Sequence, residues 1–407
     1  METAPEPQCR PAERAETECG PGGFGGQRGL LSPKSRTDIR AGSSSYSLSV
    51  ARESEGGLSR GSARRLIVRE TPPLAAVLSC VGTKLTPGEI DLFRQNNPLG
   101  LILFERNCVS PDQVRALTAS FRDVVGREDA PVLIDQEGGR VTRLKPPHWR
   151  HPPAAQAFVQ IAQRQGQEAA AAAIVSNHRL IGAELRACGL TVDCTPVLDV
   201  PIEDADPIIG NRALGSDVGV IEALGRAACT GLLEAGVLPV IKHLPGHGRA
   251  LVDSHVQLPR VTASRSALEK SDFEPFRRLA GQPLGMTAHV IYDAIDAVQP
   301  ATLSSKVISE IIRGYIGFDG LLMSDDLSMK ALSGELSERT EATLSAGCDL
   351  VLHCNGDAAE MGDVVAAAAP LTDDAMRRWR NAAVCIRNAV PIDCSADFEL
   401  LQEFALA

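Results

Sequence analysis

The sequence predicts an α/β protein built as a single (β/α)8 TIM barrel, and three observations carry the prediction. From Leu74 onward, short apolar runs alternate with longer segments of helical periodicity, as parallel strands with outer helices require. The alternation repeats about eight times in about 320 residues, which favours a closed barrel over an open sheet. The runs also end in polar and acidic residues, and in such barrels catalytic groups collect at the carboxyl ends of the strands.

Residues 1–70 are rich in Pro, Gly, Ser, Arg and Glu and poor in aromatics. That composition does not offset the entropy of folding, so a disordered extension is expected there. Strands are expected at 74–81, 99–104, 131–134, 190–200, 237–241, 284–290, 320–323 and 350–352, all short and apolar. Helical spacing marks 156–187, 218–235, 267–280, 304–315 and 337–346. Two terminal helices follow at 357–369 and 373–390, with Pro370 between them, and the last residues alternate polar and apolar like a docking segment. The expected organisation is therefore an extension (1–70), a catalytic barrel (71–370) and a C-terminal helix and tail packed on it (371–407).

Composition removes several function classes. The formal net charge of -10 argues against a nucleic-acid partner, whose binding surface is normally basic. No run of 18 or more apolar residues occurs, so no membrane span is expected. The first residues lack the basic start and apolar core of a secretory signal, and Glu2, Glu6, Glu13, Glu16 and Glu18 disfavour a transit peptide. Eleven cysteines are scattered without a CxxC pair, which points to free thiols in a reducing cytoplasm rather than to a disulfide framework or structural zinc.

The strand ends carry the chemistry. The fifth run breaks at Lys242 and His243 into Pro245, Gly246, His247 and Gly248, a turn-forming stretch whose loop delivers Asp253 and His255. Buried or partly buried charges such as Lys242 need partners, either sugar hydroxyls or a neighbouring carboxylate. His243, His247, Asp253 and His255 match no helix-borne metal motif, so no metal or other cofactor is expected. The third run ends in Asp135, Gln136, Glu137 and two glycines. An acid before a tight turn suits a carboxylate that accepts two sugar hydroxyls, or Asp135 and Glu137 simply cap the turn. The fourth run ends in Asp199, and the loop beyond it brings Arg212, either a surface arginine or a donor to hydroxyls. In the seventh run, Asp325 and Asp326 are adjacent, so their side chains diverge and one faces the barrel mouth. His289, after the sixth run, is either a core histidine bonded to a neighbour or a substrate contact.

The stretches DQEGGRVTRL (135–144), IKHLPGHG (241–248), DSH (253–255), MTAHVIY (286–292) and LLMSDDLSM (321–329) together resemble the single-domain, bacterial β-N-acetylhexosaminidase branch of glycoside hydrolase family 3. The resemblance spans residues 74–355. It implies a cytoplasmic, retaining exo-glycosidase that removes terminal N-acetylglucosamine from peptidoglycan recycling fragments. Its partner would be a small amino-sugar glycoside or muropeptide, and a monomer is favoured. By the same resemblance Asp325 is the nucleophile, and His255 is the general acid/base paired to Asp253 on a mobile loop. Asp135, Arg212, Lys242 and His243 bind sugar, with His289 as a supporting contact.

Such an assignment is chemically workable. Retention needs one group to attack the anomeric carbon and another to protonate the leaving oxygen and later deprotonate water. A histidine exchanges a proton near neutral pH, where a carboxylic acid would need a raised pKa. Two tryptophans, Trp149 and Trp379, are the whole supply, so recognition leans on charged hydrogen bonds and suits one terminal sugar rather than a long cleft. Three alternatives stand beside this reading: a phosphorylase using phosphate as acceptor, a β-glucosidase of the wider family, and a noncatalytic sugar-binding protein. The chain departs from the family pattern at Leu244, Ala213, Leu214 and Asp293, the last where Tyr292 is usually followed by proline.

Overall fold

The computed structural model describes residues 72–406 except Asn388; the extension expected over 1–70 lies outside them. Eight strands form the barrel: β1 (Leu74–Leu78), β2 (Pro98–Leu103), β3 (Val132–Ile134), β4 (Val192–Asp193), β5 (Leu238–Leu244), β6 (Leu284–Thr287), β7 (Leu321–Asp326) and β8 (Leu350–Leu352). Each pairs in parallel with its neighbours in this order, and β8 closes on β1. This is the (β/α)8 TIM barrel that the alternating pattern predicts.

Strand parity decides what reaches the barrel mouth. Leu133 on β3, Leu238 and Val240 on β5, and Leu321 and Met323 on β7 belong to the cluster that fills the barrel. Their alternates, including Val132, Ile134, Ile241 and Leu322, pack in the layers between strands and helices. Since side chains alternate along a strand, the next inward positions are Asp135, Lys242 and Asp325. Each is the first polar residue above the apolar filling of its strand.

The helical layer differs from expectation in instructive places. Two helices not assigned from periodicity fill the first two crossovers: α1 (Pro87–Asn96) and α2 (Pro111–Val125). Both start on a capping hydroxyl followed by proline, and at α1 Thr86 and Glu89 form a reciprocal capping box. The long helix expected over 156–187 is two, α3 (Ala155–Gln165) and α4 (Gln167–Ala187), because Gly166 takes φ 95° between them. The helix expected over 267–280 is likewise two short ones, α5 (Arg265–Lys270) and α6 (Glu274–Arg278), separated where Asp272 turns inward to pair with Arg249 at 2.7 Å.

Strand β4 is shorter than the run 190–200 because the chain kinks after Asp193, where the Thr195 N–H turns back to the Asp193 carbonyl, and pairing with β5 resumes only at Val197 opposite Lys242. Beyond β8, the helix Asp373–Val384 adds Ala375, Trp379 and Ala382 to the barrel filling. The helix Ser395–Glu403 docks by its buried Leu401, with Asp397 3.4 Å from Arg179. The nine cysteines among the described residues are free thiols, and no described helix is long and apolar enough to cross a membrane.

Asp193 on β4 is fully buried; one oxygen accepts the Gln136 N–H at 2.9 Å and the other has no hydrogen-bond partner among the described residues. Burial pushes its pKa up to about 8, so the folded chain keeps a proton that the unfolded chain releases above about 3.9. Stability must then fall as pH rises between those values. Asp193→Asn is expected to raise stability by at least about 1 kcal/mol at pH 8 and by less at pH 5. Thermal unfolding at the two pH values checks this, and an equal gain at both would contradict it.

Candidate active site

A cavity of about 320 Å³ opens at the carboxyl ends of the strands. Asp135, Arg212, Lys242, His243, His255 and Asp325 all border it, so residues spread over 190 positions of sequence converge on one space. Asp253 lies beside it, holding His255.

The floor is an ionic cluster. Lys242 Nζ lies 2.9 Å from Asp135 Oδ1 and 2.6 Å from Glu137 Oε1, with its side chain 3% exposed. Arg212 donates Nε and Nη2 to the two oxygens of Glu137, both at 2.8 Å, a bidentate fork. Arg143 reaches the other oxygen of Asp135 at 3.3 Å. Burial alone would push both carboxyls up, but Lys242 and Arg143 hold Asp135 below the usual range, and Arg212 and Lys242 hold Glu137 well below it. Burial would likewise lower the two bases, and the same carboxylates raise them instead. All these groups therefore stay charged.

Glu137 is thus a structural centre of the site rather than a turn cap, a role that short-range sequence reading does not reveal. Asp199 is another. It is fully buried; Oδ2 meets His243 Nδ1 at 2.7 Å, and Oδ1 accepts the backbone N–H groups of His243 and His247 at 3.2 and 2.6 Å.

The two acids at the end of β7 diverge as parity requires. Asp326 is saturated: Oδ1 accepts the N–H groups of Ser328 and Cys354, and Oδ2 the Ser328 hydroxyl. Asp325 accepts only the Asp326 N–H, at 2.8 Å, through Oδ1; among the described residues its other oxygen has no hydrogen-bond partner. Burial would raise its pKa, but His243, His289, the Asp326 N–H and Lys242 together hold it below the usual carboxylate range. It is an ionised carboxylate facing the cavity.

On the loop beyond β5, His255 Nδ1 lies 2.8 Å from Asp253 Oδ1, which also accepts the His255 backbone N–H at 2.8 Å. With Nδ1–H donated to a carboxylate, Nε2 is left as the working nitrogen. The His255 side chain is 60% exposed. Gly248 starts the loop so close to the chain that a Cβ there would lie 2.0 Å from the Val200 carbonyl oxygen.

One expectation needs correction. His289 does not border the cavity: it is fully buried, with Nδ1 2.8 Å from Thr302 Oγ1 and Nε2 3.0 Å from the Asp326 carbonyl. Both ring nitrogens are spent on the protein, so it braces the end of β7, the core-histidine alternative of the two. Asp293, one of the departures from the family pattern, pairs with Arg260 where the loop rejoins the barrel. Neither tryptophan borders the cavity, whose aromatic wall is Phe104, flanked by the guanidinium groups of Arg106 and Arg143 at 4.9 and 5.4 Å from its ring centre.

Comparison with known proteins bears on the family and the fold. Residues 76–384 match the glycosyl hydrolase family 3 N-terminal domain. A beta-hexosaminidase of Alkalilimnicola ehrlichii is 42% identical over 280 residues, covering 67% of this chain and 78% of that one. Another, of Bordetella avium, is 36% identical over 335 residues, covering 81% and 92%. Among solved structures, NagZ from Neisseria gonorrhoeae in complex with N-trifluoroacetyl-D-glucosamine superposes with a TM-score of 0.72 at 31% identity, covering 82% of this chain and 96% of that one.

The ionic floor makes a direct prediction. Glu137→Ala leaves Lys242 and Arg212 charged and out of water with a lost partner, which is expected to cost about 3–5 kcal/mol of stability. Urea unfolding of the variant measures this; a loss below about 1 kcal/mol would contradict the description of a mutually dependent cluster.

Proposed function

This chain belongs to glycosyl hydrolase family 3, and on that premise we propose that it is a retaining exo-β-N-acetylglucosaminidase acting through a covalent glycosyl-enzyme. The observation that carries the reading is the placement of one open, ionised carboxylate, Asp325, and one carboxylate-backed histidine, His255, on the same cavity. Retention requires such a pair, a nucleophile and a proton donor. The beta-hexosaminidase relatives and the glucosamine derivative bound by the Neisseria gonorrhoeae protein support an amino-sugar substrate.

In this mechanism the free oxygen of Asp325 attacks the anomeric carbon while the Asp326 N–H steadies the other. His255 gives the Nε2 proton to the departing oxygen, and Asp253 stabilises the imidazolium before and the neutral tautomer after. Water then enters, His255 takes its proton, and the sugar leaves Asp325 with its original configuration. Asp135, Lys242, Arg212 and His243 hold the sugar's polar groups in a fixed, mostly dry frame. His255 already borders the cavity but is well exposed, so bound sugar must shed the water around it before proton transfer.

The cavity of about 320 Å³ suits one terminal sugar with its aglycone toward solvent. Muropeptide fragments carrying N-acetylglucosamine from peptidoglycan recycling are the proposed substrates, and a reducing cytoplasm, where free thiols persist, the proposed location.

Initial rates on 4-nitrophenyl N-acetyl-β-glucosaminide and the matching β-glucoside, each with and without phosphate, test the reading. Preference for the acetamido sugar, unchanged by phosphate, is expected; preference for the glucoside or dependence on phosphate would overturn the substrate or the acceptor. Asp325→Ala is expected to lower kcat by about 10³-fold or more, and near-normal turnover would remove it as nucleophile. For His255→Ala, glycosides with poor leaving groups should lose about 10²-fold or more while activated aryl glycosides lose much less. Equal losses would count against its role as acid.

A further inference from the structure

Residues 251–258, which carry Asp253 and His255, are joined to the rest of the described chain by one hydrogen bond. Ser254 Oγ, between the two members of the dyad, lies 3.2 Å from His247 Nε2. The remaining hydrogen bonds of this segment are internal, from the Val256, Gln257 and His255 N–H groups to Asp253 and between the His255 ring and Asp253.

His247 is unusual for a buried histidine. It is 3% exposed, yet Nδ1 has no hydrogen-bond partner among the described residues. A buried polar atom left unpaired calls for an explanation, and here the ring is oriented for its other nitrogen. The residue cannot drift: its backbone N–H donates to Asp199 Oδ1 at 2.6 Å, and its ring packs 5.8 Å from that of His243. Asp199 in turn holds His243 Nδ1 at 2.7 Å. A single buried carboxylate therefore fixes both a sugar-facing histidine and the anchor of the dyad loop. Burial pushes the pKa of His247 down to about 4, so the ring is neutral at physiological pH and acts as a hydrogen-bonding post, not as a second acid.

We infer that His247 is a positioning residue that, through the Ser254 hydroxyl, sets the Asp253–His255 dyad over the scissile bond in register with the sugar-binding histidine His243. The inference rests on the hydrolase reading above and adds to it a buried partner for the loop. Loss of the anchor leaves the sugar pocket and Asp325 in place but lets His255 wander from the leaving oxygen. The deficit must then appear where proton donation matters and be small where it does not.

The test is kcat/KM for aryl N-acetyl-β-glucosaminides from 2,4-dinitrophenyl to phenyl, on the wild-type chain, Ser254→Ala and Ser254→Thr, with inhibition by free N-acetylglucosamine measured in each. For Ser254→Ala, a loss of about tenfold on the phenyl glycoside and of no more than about twofold on the dinitrophenyl glycoside is expected. Inhibition by the free sugar should be unchanged, and Ser254→Thr, which keeps the hydroxyl, should restore the wild-type dependence. An unchanged leaving-group dependence in Ser254→Ala, or an equal loss on all the glycosides, would overturn the inference while leaving the hydrolase reading intact. A wild-type chain that cleaves none of them would overturn that reading and the inference with it.

Discussion

Lys242 is a full positive charge almost wholly removed from water, and the cavity is organised by what keeps it there. A buried ammonium is tenable only when carboxylates meet it closely and are themselves neutralised. Asp135 and Glu137, two residues apart in the turn after β3, do the first; Arg143 and Arg212 do the second. The cluster ties β3, β5 and the loop beyond β4 into one rigid floor. Its geometry is set before any sugar arrives, the condition under which polar groups discriminate and stabilise most effectively.

Against this floor stand the proposed nucleophile and the proposed acid/base, which the fold holds in contrasting ways. Asp325 is the next inward residue of β7 after Met323, held by the strand, by the Asp326 N–H and by the saturated Asp326 beside it. His255 rides on a loop pinned at its ends by the Arg249–Asp272 and Arg260–Asp293 pairs and at its middle by Ser254. A nucleophile must be placed to within fractions of an ångström, whereas an acid/base must also admit substrate and release product. The proposed roles match that division, the nucleophile at a strand end and the acid/base on a loop.

Much of this was legible in the sequence, for physical reasons that can be named. Parallel barrel strands are buried on both faces and read as apolar runs, so all eight were located. The two-residue strand period alone separates Asp325 from Asp326. Where tertiary partners decide, sequence was silent. Glu137 meets Arg212 across 75 positions, and Asp199, beyond β4, gathers His243 and His247 from the end of the neighbouring β5. For His289 the sequence leaves a core histidine and a substrate contact both open, and nothing local shows that Thr302 and the Asp326 carbonyl occupy both its nitrogens. The missed helices α1 and α2 did carry signals, Thr86-Pro87 with Glu89 and Ser110-Pro111, that apolar periodicity alone overlooks.

The central claim is that Asp325, and not one of the other acids in this crowded site, takes the sugar. It is tested most directly by incubating the protein with 5-fluoro-N-acetylglucosaminyl fluoride, whose electron-poor ring slows hydrolysis of a covalent intermediate, and mapping the label by peptide mass spectrometry. The account predicts a single N-acetylglucosaminyl-type adduct on the peptide containing Asp325, located on that residue. A label on Asp326, Glu137 or any other side chain would contradict it.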